Sequence, residues 1–413
     1  MNNAFRHEHT RHLQRQILGS LLLFTGMLAA VTVTIISGLW LVQELQLEAA
    51  WPGYNDIAQN LHLPASWWRW LIGDISEFAF YKHEFASIGL VAGAALAYFG
   101  GRNGKAWAGF PICYGTGLWP WLVMSSLLGL LLSNLLWGWT LSEQDWQPTF
   151  VAFVSLPAAM VLLFGRGWRV TFSGAILGAI LVTPTALLLV NHVCKPMEWP
   201  AVVGNVLGMA LASIMAFVLC SWFPKLVRSG EPQTDKGSPA ATPSPTPTPT
   251  PTPTPDYGTW WVMRRILADF SEAPFFGNEL ASLGLLLGVA LAFVLNPHSP
   301  AYGSGLLPAI IGGQLLSASI GVLVWRRQWI GRGWYPTYIP LVSVVPAAIL
   351  THGASMPVIL LSASLGALIA PPLSTVIAAR LPGYMHPYIA NVFSMAISTL
   401  LIVPLAGALQ QSI

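Results

Sequence analysis

One segment of this sequence occurs twice, once in each half of the chain. The stretch Asp74–Ala97 is identical to Asp269–Ala292 at thirteen of twenty-four positions without a gap. Shorter matches follow in the same order, pairing YGTGLWP with YGSGLLP, PTFVAFVSLPAA with PTYIPLVSVVPAA, LGAILVTP with LGALIAPP, and NVLGMALAS with NVFSMAIST. The chain therefore carries an internal repeat, and any fold assigned to one half applies to the other.

Both copies consist largely of apolar runs. Of the 413 residues, 54% are hydrophobic and 8% charged, which leaves too little polar surface for a soluble domain of this size. A helix of about twenty residues crosses roughly 30 Å of hydrocarbon. Eleven runs are candidates for such helices, several of them short, at 17–42, 85–100, 116–139, 149–164, 170–190, 201–222, 279–295, 306–325, 337–352, 357–379 and 388–408.

Residues 224–258 interrupt the apolar pattern. They are polar and end in alternating threonine and proline, which excludes a helix because every second residue lacks an amide hydrogen. In polyproline II geometry the Thr-Pro tract would reach about 40 Å, at roughly 3.1 Å per residue. We therefore predict a tail at 1–16, an extra transmembrane helix at 17–42, a first repeat at 67–223, a linker at 224–258 and a second repeat at 259–413.

Each repeat contains five candidate helices, an odd number, so the second repeat must enter the membrane from the opposite face. The positive-inside rule supports these inverted repeats. With a cytoplasmic N-terminus, sixteen of the nineteen Lys and Arg residues fall on the cytoplasmic side, and only Arg69, Lys82 and Lys195 do not. The prediction is an all-α polytopic membrane protein with about eleven transmembrane helices, a cytoplasmic linker and a periplasmic C-terminus. Short loops favour a bacterial inner membrane.

Acidic residues repeat with the fold. After Tyr257 the chain has only three carboxylates, and all three align with acids of the first repeat. On one continuous helix they would form an acidic stripe leading into the first core helix. They are candidates for binding a solute, a proton or a cation near a transport path; alternatively, the two Asp residues cap or flank an interfacial helix. The six residues are Asp74, Glu77, Glu84, Asp269, Glu272 and Glu279.

Polar and helix-breaking residues also recur inside the apolar runs. Asn205 and Asn391 occupy equivalent positions in the last helix of each repeat, where they would hydrogen-bond a solute or join helices. Pro184, Pro371 and Pro372 free backbone carbonyls and would break or kink their helices.

Small residues recur at helical spacing in the first core helix of each repeat. Gly89 with Gly93, and Gly284 with Gly288, form two GxxxG patterns, which favour close helix packing.

Signatures of other functions are missing from the sequence. It contains no Walker loop, HExxH or GxSxG motif, and its net charge of +3 does not suggest a nucleic-acid partner. The histidines at 7, 9 and 12 have no Cys or carboxylate cluster to complete a metal site, so we expect a solvated tail there. We predict no enzymatic activity, no cofactor and no metal.

The plan of five helices, duplicated and inverted, resembles that of several secondary transporters and of urea-type channels in general architecture. We expect a secondary carrier of a small polar solute, with coupling to a proton or cation through the repeated acids. A passive channel for a small neutral solute and a non-transporting membrane scaffold are the alternatives. The lipid bilayer and a small solute are the expected partners, and a homo-oligomer is compatible with the sequence.

Overall fold

The computed structural model describes residues 26, 37, 49–141, 148–227 and 257–411. Helices dominate these residues, and no strand occurs among them. The predicted tail at 1–16, most of the extra helix at 17–42 and nearly all of the linker lie outside the described residues.

The described helices follow the repeat pattern of the sequence. In chain order they are α1 Tyr54–Gln59, α2 Pro64–Asp74, α3 Glu84–Arg102, α4 Trp119–Trp137, α5 Leu156–Phe164, α6 Trp168–Cys194, α7 Ala201–Trp222, α8 Thr259–Asp269, α9 Glu279–Leu295, α10 Leu307–Val324, α11 Arg326–Arg332, α12 Val344–His352, α13 Met356–Ala378 and α14 Tyr388–Gln411. Helices α2 to α7 align in sequence with α8, α9, α10, α12, α13 and α14.

Seven of these helices are long and apolar enough to cross a membrane: α3, α4, α6, α7, α10, α13 and α14. Three shorter apolar segments, Thr149–Phe164, Glu279–Leu295 and Ile339–His352, complete the set of ten predicted runs that fall in the described part of the chain. The protein is thus an α-helical membrane protein. The count of eleven spans is not confirmed, because three runs are short and the first lies outside the described residues.

Helices α3 and α9 cross at their glycines. A Cβ atom on Gly89 would lie 2.0 Å from the carbonyl oxygen of Gly284, and a Cβ on Gly284 would lie 2.0 Å from that of Gly89. One turn further on, Gly93 meets Leu280, and Gly288 meets Phe85, each with 2.1 Å between the added Cβ and the carbonyl oxygen. The two helices are therefore antiparallel, and only glycine permits this contact, as the GxxxG patterns predicted.

The turns that flank this crossing bond across the two halves. Cys113 donates its amide hydrogen to the carbonyl of Phe276 at 3.2 Å, and the aligned Ala301 donates to Tyr81 at 2.9 Å. Each half thus holds the loop of the other through a matching backbone hydrogen bond.

The predicted helix breaks do not occur at the prolines. Helix α13 continues through Pro371 and Pro372, and α6 continues through Pro184. In α6 a π-helical turn, Gly178–Val182, directly precedes the short α-helical stretch that contains Pro184. A wider turn of this kind gives the proline ring room without ending the helix.

Tryptophans bond the carbonyls near these prolines. The carbonyl of Ala367, four residues before Pro371, accepts a hydrogen bond from Trp325 Nε1 at 2.8 Å. In the first half, Ala179 accepts from the aligned Trp137 Nε1, also at 2.8 Å. The carbonyl that Pro371 leaves without its helical donor is thus hydrogen-bonded, and the aligned carbonyl of the first half is bonded in the same way.

The breaks lie instead within the two short apolar segments that end in α5 and α12. Ser155, with φ −136° and ψ −125°, and the aligned Ser343, with φ −145° and ψ −80°, are not helical. Each serine hydroxyl donates to the carbonyl four residues earlier, at 2.6 and 2.7 Å. Each segment is thus a 3₁₀ turn joined to a short helix.

Candidate functional site

The acidic residues do not form a stripe on one helix. Helix α2 ends at Asp74 and α3 begins at Glu84, and between them the chain reverses through a left-handed Phe80, with φ 66°. The second half turns in the same way at Phe275, with φ 64°. The prediction of one acidic stripe on a continuous helix is therefore wrong, because these turns place the acids in separate clusters.

The first cluster surrounds one buried lysine. Lys82 Nζ bonds Asp74 and lies 2.7 Å from Glu77 Oε2, and it stands 3.8 Å from the ring centroid of Trp70. Thr149 donates its hydroxyl hydrogen to Asp74 Oδ2 at 2.8 Å. Both carboxylates are thus paired where they are 1% exposed or less.

The second cluster has the same acids but a different cation. Arg265 Nη2 lies 2.8 Å from Asp269 Oδ1 and 2.6 Å from Glu272 Oε2. Its guanidinium lies 4.6 Å from the ring centroid of Trp329, and Thr337 donates to Asp269 Oδ2 at 2.7 Å. The threonine contact matches that of the first half, whereas the cation does not.

The two cations come from positions that do not align. Lys82 aligns with Gly277, and Arg265 aligns with Trp70. Gly277 has φ +54°, and a Cβ there would lie 2.5 Å from Glu272 Oε2. In the second half the Glu272 carboxylate occupies the space beside this glycine, and the positive charge comes instead from Arg265 on the preceding helix, α8.

Each cluster also receives a tyrosine from the other half. Tyr114 donates to Glu272 Oε1 at 3.0 Å, and the aligned Tyr302 donates to Glu77 Oε1 at 3.4 Å. Trp334 Nε1 also donates to Glu272 Oε1, at 2.7 Å. The clusters thus connect the two halves.

Glu84 and Glu279 lie at opposite ends of the α3–α9 crossing. Glu84 Oε1 accepts from Trp51 Nε1 at 2.9 Å and lies 3.8 Å from Arg69 Nε, whereas Glu279 Oε1 accepts from Arg264 Nε at 2.6 Å. Each stands five residues before the crossing glycine of an antiparallel helix, which separates them by roughly 15 Å along the axis at about 1.5 Å per residue. They do not share a pocket.

A cavity of about 460 Å³ lies between the two halves. Its lining is mostly aromatic and aliphatic, and much of it consists of residues that align between the halves. The aligned pairs are Phe78 with Ala273, Phe80 with Phe275, Phe150 with Tyr338, Val154 with Val342, Val202 with Tyr388, Val206 with Val392, and Met209 with Met395. Both halves thus contribute residues from matching positions of the sequence repeat to the cavity wall.

The two predicted asparagines differ at this cavity. Asn391 Nδ2 donates to the Tyr338 hydroxyl at 3.1 Å, and its Oδ1 accepts from Ser374 at 2.6 Å. Asn205 lines the cavity and is 3% exposed, and its Oδ1 has no hydrogen-bond partner within the described residues. Asn391 therefore links α14 to Ser374 on α13, whereas Asn205 faces the cavity wall without such a partner.

Exposed residues line the cavity at one end. Asn55 and Thr351 are exposed lining residues near the α6–α7 loop, beside Pro200 at the start of α7. At the other end, the Tyr388 hydroxyl bonds Ser213 and also approaches the carbonyl of Met209 at 3.5 Å. One end is thus tied by hydroxyl groups and the other is lined by exposed residues.

Sequence reasoning identified the acids and the asparagines but missed their partners. Alignment of the repeats does not identify the cation of the second cluster, because Arg265 aligns with a tryptophan. The cavity tyrosines, Tyr338 and Tyr388, align with Phe150 and Val202, and this difference in polarity was the available signal.

No family model matches the chain, and no curated protein or solved structure is significantly similar to it. The functional assignment therefore depends on the repeat, the clusters and the cavity.

Proposed function

We propose that this protein is a membrane transporter that binds a small solute in the cavity between its halves. The observation that carries the proposal is the cavity of about 460 Å³, which lies between the repeats and is lined by both. Its volume falls in the range of small-molecule sites, roughly 300–1,000 Å³, and carriers with inverted repeats place their sites at such interfaces.

The proposed architecture is one N-terminal helix followed by two inverted five-helix repeats. The antiparallel crossing of α3 and α9, together with the reciprocal bonds of Cys113 and Ala301, supports a twofold relation between the halves. The distribution of Lys and Arg supports an N-terminus in the cytoplasm and a C-terminus in the periplasm of a bacterial inner membrane.

Coupling to a proton or cation through the repeated acids stays a prediction. Each of the six acids faces a lysine or an arginine within 4 Å. Removing one partner from a buried ion pair is strongly destabilising, so these contacts favour a role in holding α2 and α8 against the core. The cavity, rather than the acids, is the basis of the transport proposal.

A non-transporting membrane scaffold is the second candidate. It is favoured by the backbone contact at Gly89 and Gly284, which leaves no space between α3 and α9. In a scaffold the cavity would be a packing defect, and filling it would leave function unchanged.

A flux experiment separates the two candidates. The protein is reconstituted in liposomes, and uptake of a panel of small labelled neutral solutes is measured. Val206→Trp fills the cavity, whereas Leu211→Trp places the same side chain on the 42% exposed face of the same helix, α7. We expect saturable uptake that Val206→Trp abolishes and Leu211→Trp retains. Equal flux in both variants would refute transport through the cavity, and linear flux in the parent would indicate a channel.

Topology is tested separately with reporters fused to the C-terminus. The proposal requires a periplasmic C-terminus, so alkaline phosphatase should be active there and green fluorescent protein should not fluoresce. A C-terminal reporter active only in the cytoplasm would refute the inverted arrangement with eleven spans.

A further inference from the structure

The cavity is apolar except at a few sites, and Asn205 is one of them. Its side chain lies on α7 among Val202, Val206 and Met209, which also line the cavity. Its Oδ1 is buried without a hydrogen-bond partner, and its Nδ2 makes no hydrogen bond within the described residues. A buried amide without partners loses the hydrogen bonds that it would make to water. A polar group that enters the cavity and bonds this amide would therefore stabilise it.

The reason for this unpaired amide is visible in the other half. Asn391 is satisfied by the hydroxyls of Tyr338 and Ser374. The residues of the first half that align with these two are Phe150 and Ala186, which have no hydroxyl. Two polar partners present in one half are thus absent in the other, and Phe150 lines the cavity beside the amide.

The acidic cluster beside the cavity disfavours an anion. Glu77 is the acidic residue of the lining, and Lys82 Nζ, which also bonds Asp74, lies 2.7 Å from its Oε2 while Tyr302 donates to its Oε1. Two carboxylates share one cation, so an anionic ligand would be repelled and would lose its hydration on entry. A cationic ligand would also lose its hydration and would meet a carboxylate whose two oxygens already have partners.

We propose that the cavity binds an uncharged, largely apolar molecule that carries one hydroxyl group, and that this hydroxyl bonds Asn205 in the place that Tyr338 occupies on Asn391. This ligand class rests on the proposed function and makes it specific. A hydroxyl both donates and accepts, so it satisfies the amide in either orientation of its oxygen and nitrogen. The aromatic lining accommodates a flat apolar body.

Three probes of similar size test the ligand class on the full-length protein in detergent, with affinities measured by calorimetry. They are 2-naphthol, 2-methylnaphthalene and 2-naphthoate, which differ in one substituent: a hydroxyl, a methyl and a carboxylate. A neutral hydrogen bond changes affinity by about three- to tenfold, so 2-naphthol should bind that much more tightly than 2-methylnaphthalene. The naphthoate should bind more weakly than either.

Three variants locate the effect. Asn205→Leu retains the apolar volume and should reduce the affinity for 2-naphthol about three- to tenfold while leaving that for 2-methylnaphthalene unchanged. Phe150→Tyr supplies the missing hydroxyl from the protein and should likewise remove the preference for 2-naphthol. Phe172→Tyr makes the same chemical change at a 47% exposed site that does not line the cavity, and it should leave all three affinities unchanged.

The same probes can overturn the inference. Equal affinity for the hydroxyl and methyl compounds, a preference that survives Asn205→Leu, or tightest binding of the naphthoate would each refute it. Partitioning into detergent cancels when each probe is compared with itself across the variants, and the comparison between probes uses affinities corrected for the partition coefficient measured for each probe. A failure of the transport proposal would be distinguished from a failure of this inference. In that case flux in liposomes would be absent while the preference for the hydroxyl compound in detergent remained.

Discussion

Adding one methyl group at the crossing of α3 and α9 should disrupt the contact between the two halves. In Gly89→Ala the new Cβ would lie 2.0 Å from the Gly284 carbonyl oxygen, whereas ordinary contact begins near 3.4 Å. The helices must therefore separate locally by about 1.4 Å. The obstacle is backbone on the partner helix, which cannot rotate away as a side chain can.

The expected loss of stability follows from two opposing terms. Overpacking of a close contact costs about 1–3 kcal/mol, and here the neighbouring contacts of Gly93 and Gly288 open with it. Alanine gains about 1 kcal/mol over glycine in a helix interior. Because the backbone clash lies at the upper end of the first range, we expect a net destabilisation of about 2 kcal/mol.

The assay is thermal unfolding of the purified protein in detergent, followed by tryptophan fluorescence. Gly101→Ala is the matched control, since it lies in the same helix and its Cβ would meet nothing within 4 Å. Gly284→Ala should destabilise the fold as much as Gly89→Ala, because the contact is reciprocal. If Gly89→Ala unfolds at the same temperature as Gly101→Ala, the close crossing does not exist.

Three further predictions concern buried polar contacts. Lys82→Met leaves two buried carboxylates without their cation and should destabilise the fold by about 3–5 kcal/mol in denaturant unfolding, a loss that neutralising both acids should reduce. Trp325→Phe removes a partly buried indole hydrogen bond and should cost about 1 kcal/mol, whereas Trp139→Phe, at a 78% exposed site, should cost nothing measurable; equal melting temperatures would contradict this. Burial lowers the pKa of His386, in the loop before α14, to about 4, so the folded state binds fewer protons than the unfolded state between roughly pH 4 and 6.5. Stability should therefore fall as pH decreases through that window, and His386→Gln should flatten the decrease in melting temperature; an unchanged pH profile would show that this histidine does not contribute.

The helix positions could be predicted from the sequence because they depend on hydrophobic length, which is a local property. The run predicted at 201–222 is the helix Ala201–Trp222, and that predicted at 279–295 is Glu279–Leu295. The GxxxG contact was predictable for the same reason, since four-residue spacing places both glycines on one helix face. These features require no knowledge of distant partners.

The contacts of the acids could not be predicted, because they depend on where the chain turns and on partners far away in sequence. The left-handed residues Phe80 and Phe275 carry no sequence signal for such a turn, since aromatic residues rarely adopt positive φ. The repeat gave no guide to the cations, because Lys82 aligns with Gly277 and Arg265 aligns with Trp70. Alignment of the two repeats identifies matching contacts only where both halves use the same position for the same role.

The differences between the halves bear on how a carrier of this kind would work. Two inverted repeats with the same contacts can exchange conformations, which opens the cavity first at one end and then at the other. The Tyr388 hydroxyl joins the two halves at one end through Ser213, and the aligned Val202 cannot form this bond at the other end. One such bond of about 1 kcal/mol would favour the described arrangement roughly fivefold. A bias of that size is small enough for differential binding of a solute to reverse it, so the hydroxyl would set the resting conformation without preventing the exchange.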